Sequence, residues 1–104
     1  MTVKPYCLGA DNWPGLSKLI EECGEVVQIG GKILGNEGRE DHWDGTNLRT
    51  RLEDEMADVL AAITFMLDYG PYEIDSERVV QRSQEKLQRF VEWDRDTRRR
   101  AEHV

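Results

Sequence analysis

The stretch that decides the fold is Leu16-Ser-Lys-Leu-Ile-Glu-Glu-Cys-Gly-Glu-Val-Val-Gln-Ile-Gly-Gly-Lys-Ile-Leu-Gly35. At about 100° per residue, Leu16, Leu19, Ile20, Cys23, Val26, Val27, Ile33 and Leu34 gather on one broad face. That period predicts an amphipathic helix. Glu22 falls inside the apolar arc, with Leu19 and Val26 as its three- and four-residue neighbours and Ile29 and Ile33 further along. Glu25 lies at the edge of the face, and Glu21 lies beyond it, toward solvent. Asn12-Trp13-Pro14 reads as the helix start and Gly35 as its stop. Gly30-Gly31 weakens the helix by roughly 1 kcal/mol per glycine and predicts a kink or a close backbone contact.

A second helix is expected from about Asn47 to Tyr69, ended by Gly70-Pro71. Its buried stripe reads Leu48, Leu52, Met56, Val59, Ile63 and Met66. Within Leu52-Glu-Asp-Glu-Met-Ala-Asp-Val-Leu60, Glu55 falls between that stripe and Ala62, and Asp58 falls close to the line of Phe65 and Tyr69. Each helix therefore carries two carboxylates about 60° apart on its core-facing border. Antiparallel packing at about 8–10 Å would bring the two pairs together. Residues 35–46 are polar and glycine-rich and read as a loop, with room for a short helix. Asp75 or Ser76 caps a third helix that continues into the 90s. Residues 1–11 read as an extended lead-in, and residues from about 96 to 104, with Arg98-Arg99-Arg100, as a fraying tail. The expected fold is an all-α bundle of three main helices in one domain, residues 1–104.

Composition narrows the function. Hydrophobic residues make up 38% of the 104 residues and charged residues 34%, too lean for a generous core, so a homodimer or homotetramer is expected. The formal net charge of -7 argues against non-specific nucleic-acid binding. No apolar run approaches the roughly 18 residues of a membrane span. Two cysteines, Cys7 and Cys23, and an N-terminus without a signal-peptide pattern fit the reducing cytoplasm.

Carboxylates against an apolar stripe are expensive unless neutralised. A divalent cation is the simplest partner, and oxygen-only ligands point to Mg²⁺, or Mn²⁺ in its place. Ordinary surface acids are the plainer alternative. On the third helix Val79, Val80, Ser83, Leu87, Phe90 and Val91 form an apolar face, flanked by Arg82, Lys86, Arg89 and Trp93. Those cations either snorkel over the apolar surface or contact phosphates. Trp13 or Trp43 could stack on a base, although packing is the usual task of a tryptophan here. His42 and Asp44 show no ligand spacing of note, and Cys23 reads as a small core residue.

The two acidic segments resemble the MazG-like all-α nucleoside triphosphate pyrophosphohydrolases, whose pattern is E-E-x-x-E followed by E-x-x-D. Here the halves are Glu21-Glu22-x-x-Glu25 and Glu55-x-x-Asp58. Glu85-Lys86-Leu-Gln-Arg89-Phe90 is similar to the family's late K-[FL]-x-x-R segment, so the likeness spans roughly residues 12–92. The resemblance implies Glu22, Glu25, Glu55 and Asp58 as Mg²⁺ ligands. It implies Glu21, or a ligand such as Glu22, as the group that orients or deprotonates the attacking water. Lys86 and Arg89 would add charge at the outer phosphates, and Trp13 is the candidate base contact. Expected products are a nucleoside monophosphate and pyrophosphate, with sites near the interface of a dimer or tetramer. The N-terminal Ser-Tyr-Thr segment of the phosphoribosyl-ATP branch is not found. Another nucleotide-like substrate, or a non-catalytic assembly or nucleotide-binding module, remains the alternative.

Overall fold

A computed structural model describes residues 13–70 and 74–103. They form three helices, α1 (Leu16–Gly35), α2 (Leu48–Asp68) and α3 (Ser76–Glu102). Among the described residues there is no strand, only an isolated bridge between Asp41 and Asn47. None of their helices is long and apolar enough to cross a membrane. The chain divides into two compact units, 1–73 and 74–104. The expected lead-in, residues 1–11, lies outside the described residues, as does Pro71.

Helix α1 begins two residues after the expected Pro14. Trp13 and Gly15 both take left-handed backbone angles, φ 55° and 91°. This turn delays the first helical residue to Leu16, and no side chain caps it. Gly15 cannot be traded freely. A Cβ there would stand 2.9 Å from Phe65 Cδ1 and 3.0 Å from Met66 Cγ. The expected close contact at Gly30-Gly31 is not found among the described residues. The helix runs through both, and nothing among the described residues comes within 4 Å of a Cβ at either. Helix α2 is capped by Asn47, whose side chain accepts from Thr50 N–H at 2.9 Å.

Contacts between α1 and α2 fix their direction. Gly15 meets Phe65 and Met66, Glu22 and Glu25 meet Glu55 and Asp58, and Ile33 shares a groove with Leu48 and Leu52. The pairing descends one helix as it climbs the other, so the two form an antiparallel hairpin. Its core is Ile29, Leu48, Ala62 and Met66, with the carboxylate Glu22 buried among them.

Two helices bury only a narrow stripe, so much of the expected core face stays open. Ile20, Val27 and Leu34 are exposed on α1, as is Met56 on α2, and Cys23 is an exposed thiol rather than a core residue. The buried line of α1 is Glu22–Ile29, one side of the broad apolar arc. The other side joins Val26, Val59 and Leu60 in an open apolar groove of about 310 Å³ with Cys23 and Met56.

The connection 36–47 contains no short helix. It is a structured turn. Gly38 N–H donates to Ile33 C=O at 2.9 Å and closes the α1 terminus. Asn36 Nδ2 donates to the carbonyls of Arg39 and Asp41 at 3.0 and 2.7 Å. Asp44 Oδ1 accepts from the Thr46 N–H and hydroxyl at 3.0 and 2.6 Å. Those bonds hold the Asp44 carboxyl far below its usual range. His42 and Asp44 pair with each other at 2.9 Å.

In α3, Asp75 is the cap, accepting from Arg78 N–H at 3.0 Å. The helix continues through the Arg98–Arg100 run to Glu102. Arg98 donates to Asp94 one turn back at 2.9 Å, a pair that favours helix over fraying. None of its side chains is buried, and Val79, Val80, Leu87, Phe90 and Val91 are exposed.

Candidate metal centre

Spacing of three along each helix puts Glu22 beside Glu25 and Glu55 beside Asp58. The antiparallel hairpin sets these pairs face to face. One carboxylate oxygen from each of the four lies within 4.8 Å of all the others. Glu22 is buried at 6% exposure, Glu25 and Glu55 are half-buried, and Asp58 is exposed. The cluster thus opens at its Asp58 side.

Its electrostatics are unbalanced. Glu22 Oε2 and Glu55 Oε2 are buried without a hydrogen-bond partner. Orphaned carboxylate oxygens are rare because water would otherwise solvate them. A hydrogen bond shared with Glu55, then the Glu55 charge and burial, push the Glu25 carboxyl above its ordinary range. Such a set fits a hard divalent cation. All donors are oxygens, and ligands at about 2.1 Å from an octahedral ion lie about 3–4.2 Å apart. A spread within 4.8 Å needs only small side-chain adjustment.

Lys18 is a site residue that periodicity alone did not single out. Its Nζ lies 3.2 Å from Glu22 Oε1 and 3.3 Å from Glu21 Oε1. The Glu22 bond, followed by that to Glu21, raises the Lys18 ammonium above its ordinary range. With Glu22, Asp58, Ala61, Ala62 and Phe65 it lines a cleft of about 220 Å³. The signal was its place three and four residues before Glu21 and Glu22, the helix spacing of an ion pair.

The remaining candidates are placed as follows. Glu21 is exposed and outside the four-oxygen cluster, tied to it through Lys18. Trp13 is 44% exposed in the turn before α1, its carbonyl accepting from Leu16 N–H at 3.0 Å. Lys86 and Arg89 lie on α3. The Lys86 ammonium stands 5.9 Å from the centroids of both the Phe90 and Trp93 rings. That is a cation–π arrangement, a cation lying over its own helix's aromatics.

Comparison with curated proteins and with solved structures gave no match. The MazG nucleotide pyrophosphohydrolase domain matches residues 15–92. That span holds α1, the turn, α2 and most of α3, including all four clustered carboxylates. The chain belongs to the family of MazG nucleotide pyrophosphohydrolase domains.

Proposed function

We propose that the protein is a Mg²⁺-dependent hydrolase of nucleoside triphosphates, NTP or dNTP, releasing a nucleoside monophosphate and pyrophosphate. The observation that carries this is the four-carboxylate cluster with its two orphaned buried oxygens. Glu22, Glu25, Glu55 and Asp58 would hold Mg²⁺, with Mn²⁺ able to substitute. The ion supplies charge neutralisation for the phosphates and lowers the pKa of bound water. Glu21 is solvent-facing, and Glu22 is fixed by Lys18. Either would orient the attacking water or take its proton. Ala61, Ala62 and Phe65 give the cleft an apolar lining. Lys86 and Arg89 are assigned to the outer phosphates and Trp13 to the base. The acidic chain is suited to nucleotides rather than nucleic acid, and the cytoplasm is the proposed location.

The test is pyrophosphate release from a panel of common and modified NTPs and dNTPs, with Mg²⁺ and with EDTA. Mg²⁺-dependent, EDTA-sensitive release is expected. No release from folded protein with any nucleotide would overturn the assignment.

The exposed line of Ile20, Val27, Met56 and Leu60 supports a homodimer or homotetramer. Light scattering at micromolar concentration should give two or four chain masses. A mass of one chain would refute the assembly.

The raised Glu25 carboxyl sets a pH dependence. Metal-free folded protein holds this proton more tightly than the unfolded chain does. Its contribution to stability is therefore present below the ordinary carboxyl value of 4.5 and is lost as pH rises through the higher folded value. Metal competes with that proton, so the Mg²⁺-induced rise in Tm should grow across the same interval. Melts with and without Mg²⁺ from pH 4 to 8 read this directly. An increment already full at pH 4 would exclude Glu25 as a ligand.

A further inference from the structure

We propose that Lys18 is a counter-ion that changes partner. It balances Glu22 while the carboxylate cluster holds no metal, and it turns to the substrate's phosphates once the metal is bound. The inference rests on the metal-site reading above and extends it to a residue outside the carboxylate set.

Three observations carry it. First, Lys18 Nζ occupies one oxygen of the buried Glu22, at 3.2 Å, while the other Glu22 oxygen has no partner. The ammonium thus satisfies half of a proposed ligand. Second, its side chain is 37% exposed, against 8% for the Glu22 side chain. The buried carboxylate is fixed, and the flexible partly solvated arm can move. Third, among the described residues Lys18 is the one basic residue lining the cleft, together with Glu22, Asp58 and the apolar Ala61, Ala62 and Phe65. An acidic cleft repels a polyphosphate. A divalent ion on the carboxylates removes the reason for Lys18 to stay on Glu22. The freed ammonium would then be available at the cleft wall to an anion in the cleft. No bond is made or broken covalently; only ion-pair partners exchange.

This mechanism predicts opposite effects on two ligands, which a merely structural lysine would not produce. Lys18→Met removes the competitor for Glu22, so Mn²⁺ alone should bind tighter by about two- to fivefold, the worth of a partly exposed ion pair. The same variant removes a charge-assisted contact to phosphate. Inorganic tripolyphosphate in excess Mg²⁺ should therefore bind about ten- to a hundredfold more weakly. Lys18→Arg keeps the charge and should restore tripolyphosphate binding. Both affinities are read by calorimetry on the full chain, with helicity checked by circular dichroism. Lys18→Gln serves as a second neutral variant if the methionine compromises folding.

If Lys18 only tethers Glu22, Mn²⁺ binding should weaken in Lys18→Met, and that result overturns the exchange. Unchanged tripolyphosphate affinity overturns it equally. Wild-type protein that binds no Mn²⁺ removes the metal-site reading and this inference together. Tight wild-type Mn²⁺ binding with no gain in Lys18→Met removes this inference alone.

Discussion

Glu55→Gln is expected to lower Mg²⁺-dependent pyrophosphate release by about 100- to 1000-fold, the usual effect of losing one electrostatic contact to the transition state. Glu55 sits opposite Glu25, and its Oε2 is buried without a partner. The amide keeps one oxygen ligand but removes a negative charge, so metal is held more weakly. The same change should stabilise the metal-free fold. The Glu55 hydrogen bond and charge are what raise the Glu25 carboxyl, and a glutamine N–H can donate to that carboxylate instead. Activity and metal-free Tm should thus move in opposite directions. Loss of activity with loss of stability would mean Glu55 serves the fold. Wild-type turnover in the variant would remove it from the metal set.

The split acidic pattern was readable because two rigid periodicities constrain it. A spacing of three fixes two carboxylates on one helix border, and an antiparallel hairpin fixes which borders meet. These two constraints place Glu22, Glu25, Glu55 and Asp58 on facing borders, and the structure brings their oxygens together. A cap at Asp75 or Ser76 was legible because a side-chain acceptor two or three residues before a helical N–H is a local interaction, and Asp75 is the one that caps. Burial was read less well. Hydropathy shows which residues prefer an apolar neighbour, not which of them find one within the hairpin. Ile20, Val27 and Met56 share the period of Ile29 and Met66 yet stay exposed. The turn 36–47 was equally opaque. Its order comes from side chains such as Asn36 and Asp44 bonding nearby backbone, and composition records those only as polarity. Lys18 escaped because an i,i+4 lysine and glutamate usually mark a solvated face, and here the glutamate is buried.

Gly15, in the turn before α1, carries the second large prediction. Gly15→Ala should lower stability by about 2–3 kcal/mol, a fall in Tm of roughly 8–20 °C for a domain of this size. Two costs add. The position holds φ 91°, where an L residue is strained. The new methyl would also sit 2.9 Å from Phe65 Cδ1, so the ring or helix α1 must shift. Phe65 forms part of the cleft wall with Lys18 and Glu22, so the displacement should reach the site and raise KM. Gly31→Ala is the natural contrast. That position is mid-helix with open space around its Cβ among the described residues, and alanine should raise stability by about 0.8–1 kcal/mol. Thermal melts of the two variants should therefore displace Tm in opposite directions from wild type. A Gly15→Ala protein as stable as wild type would show that the left-handed turn into α1 is not required.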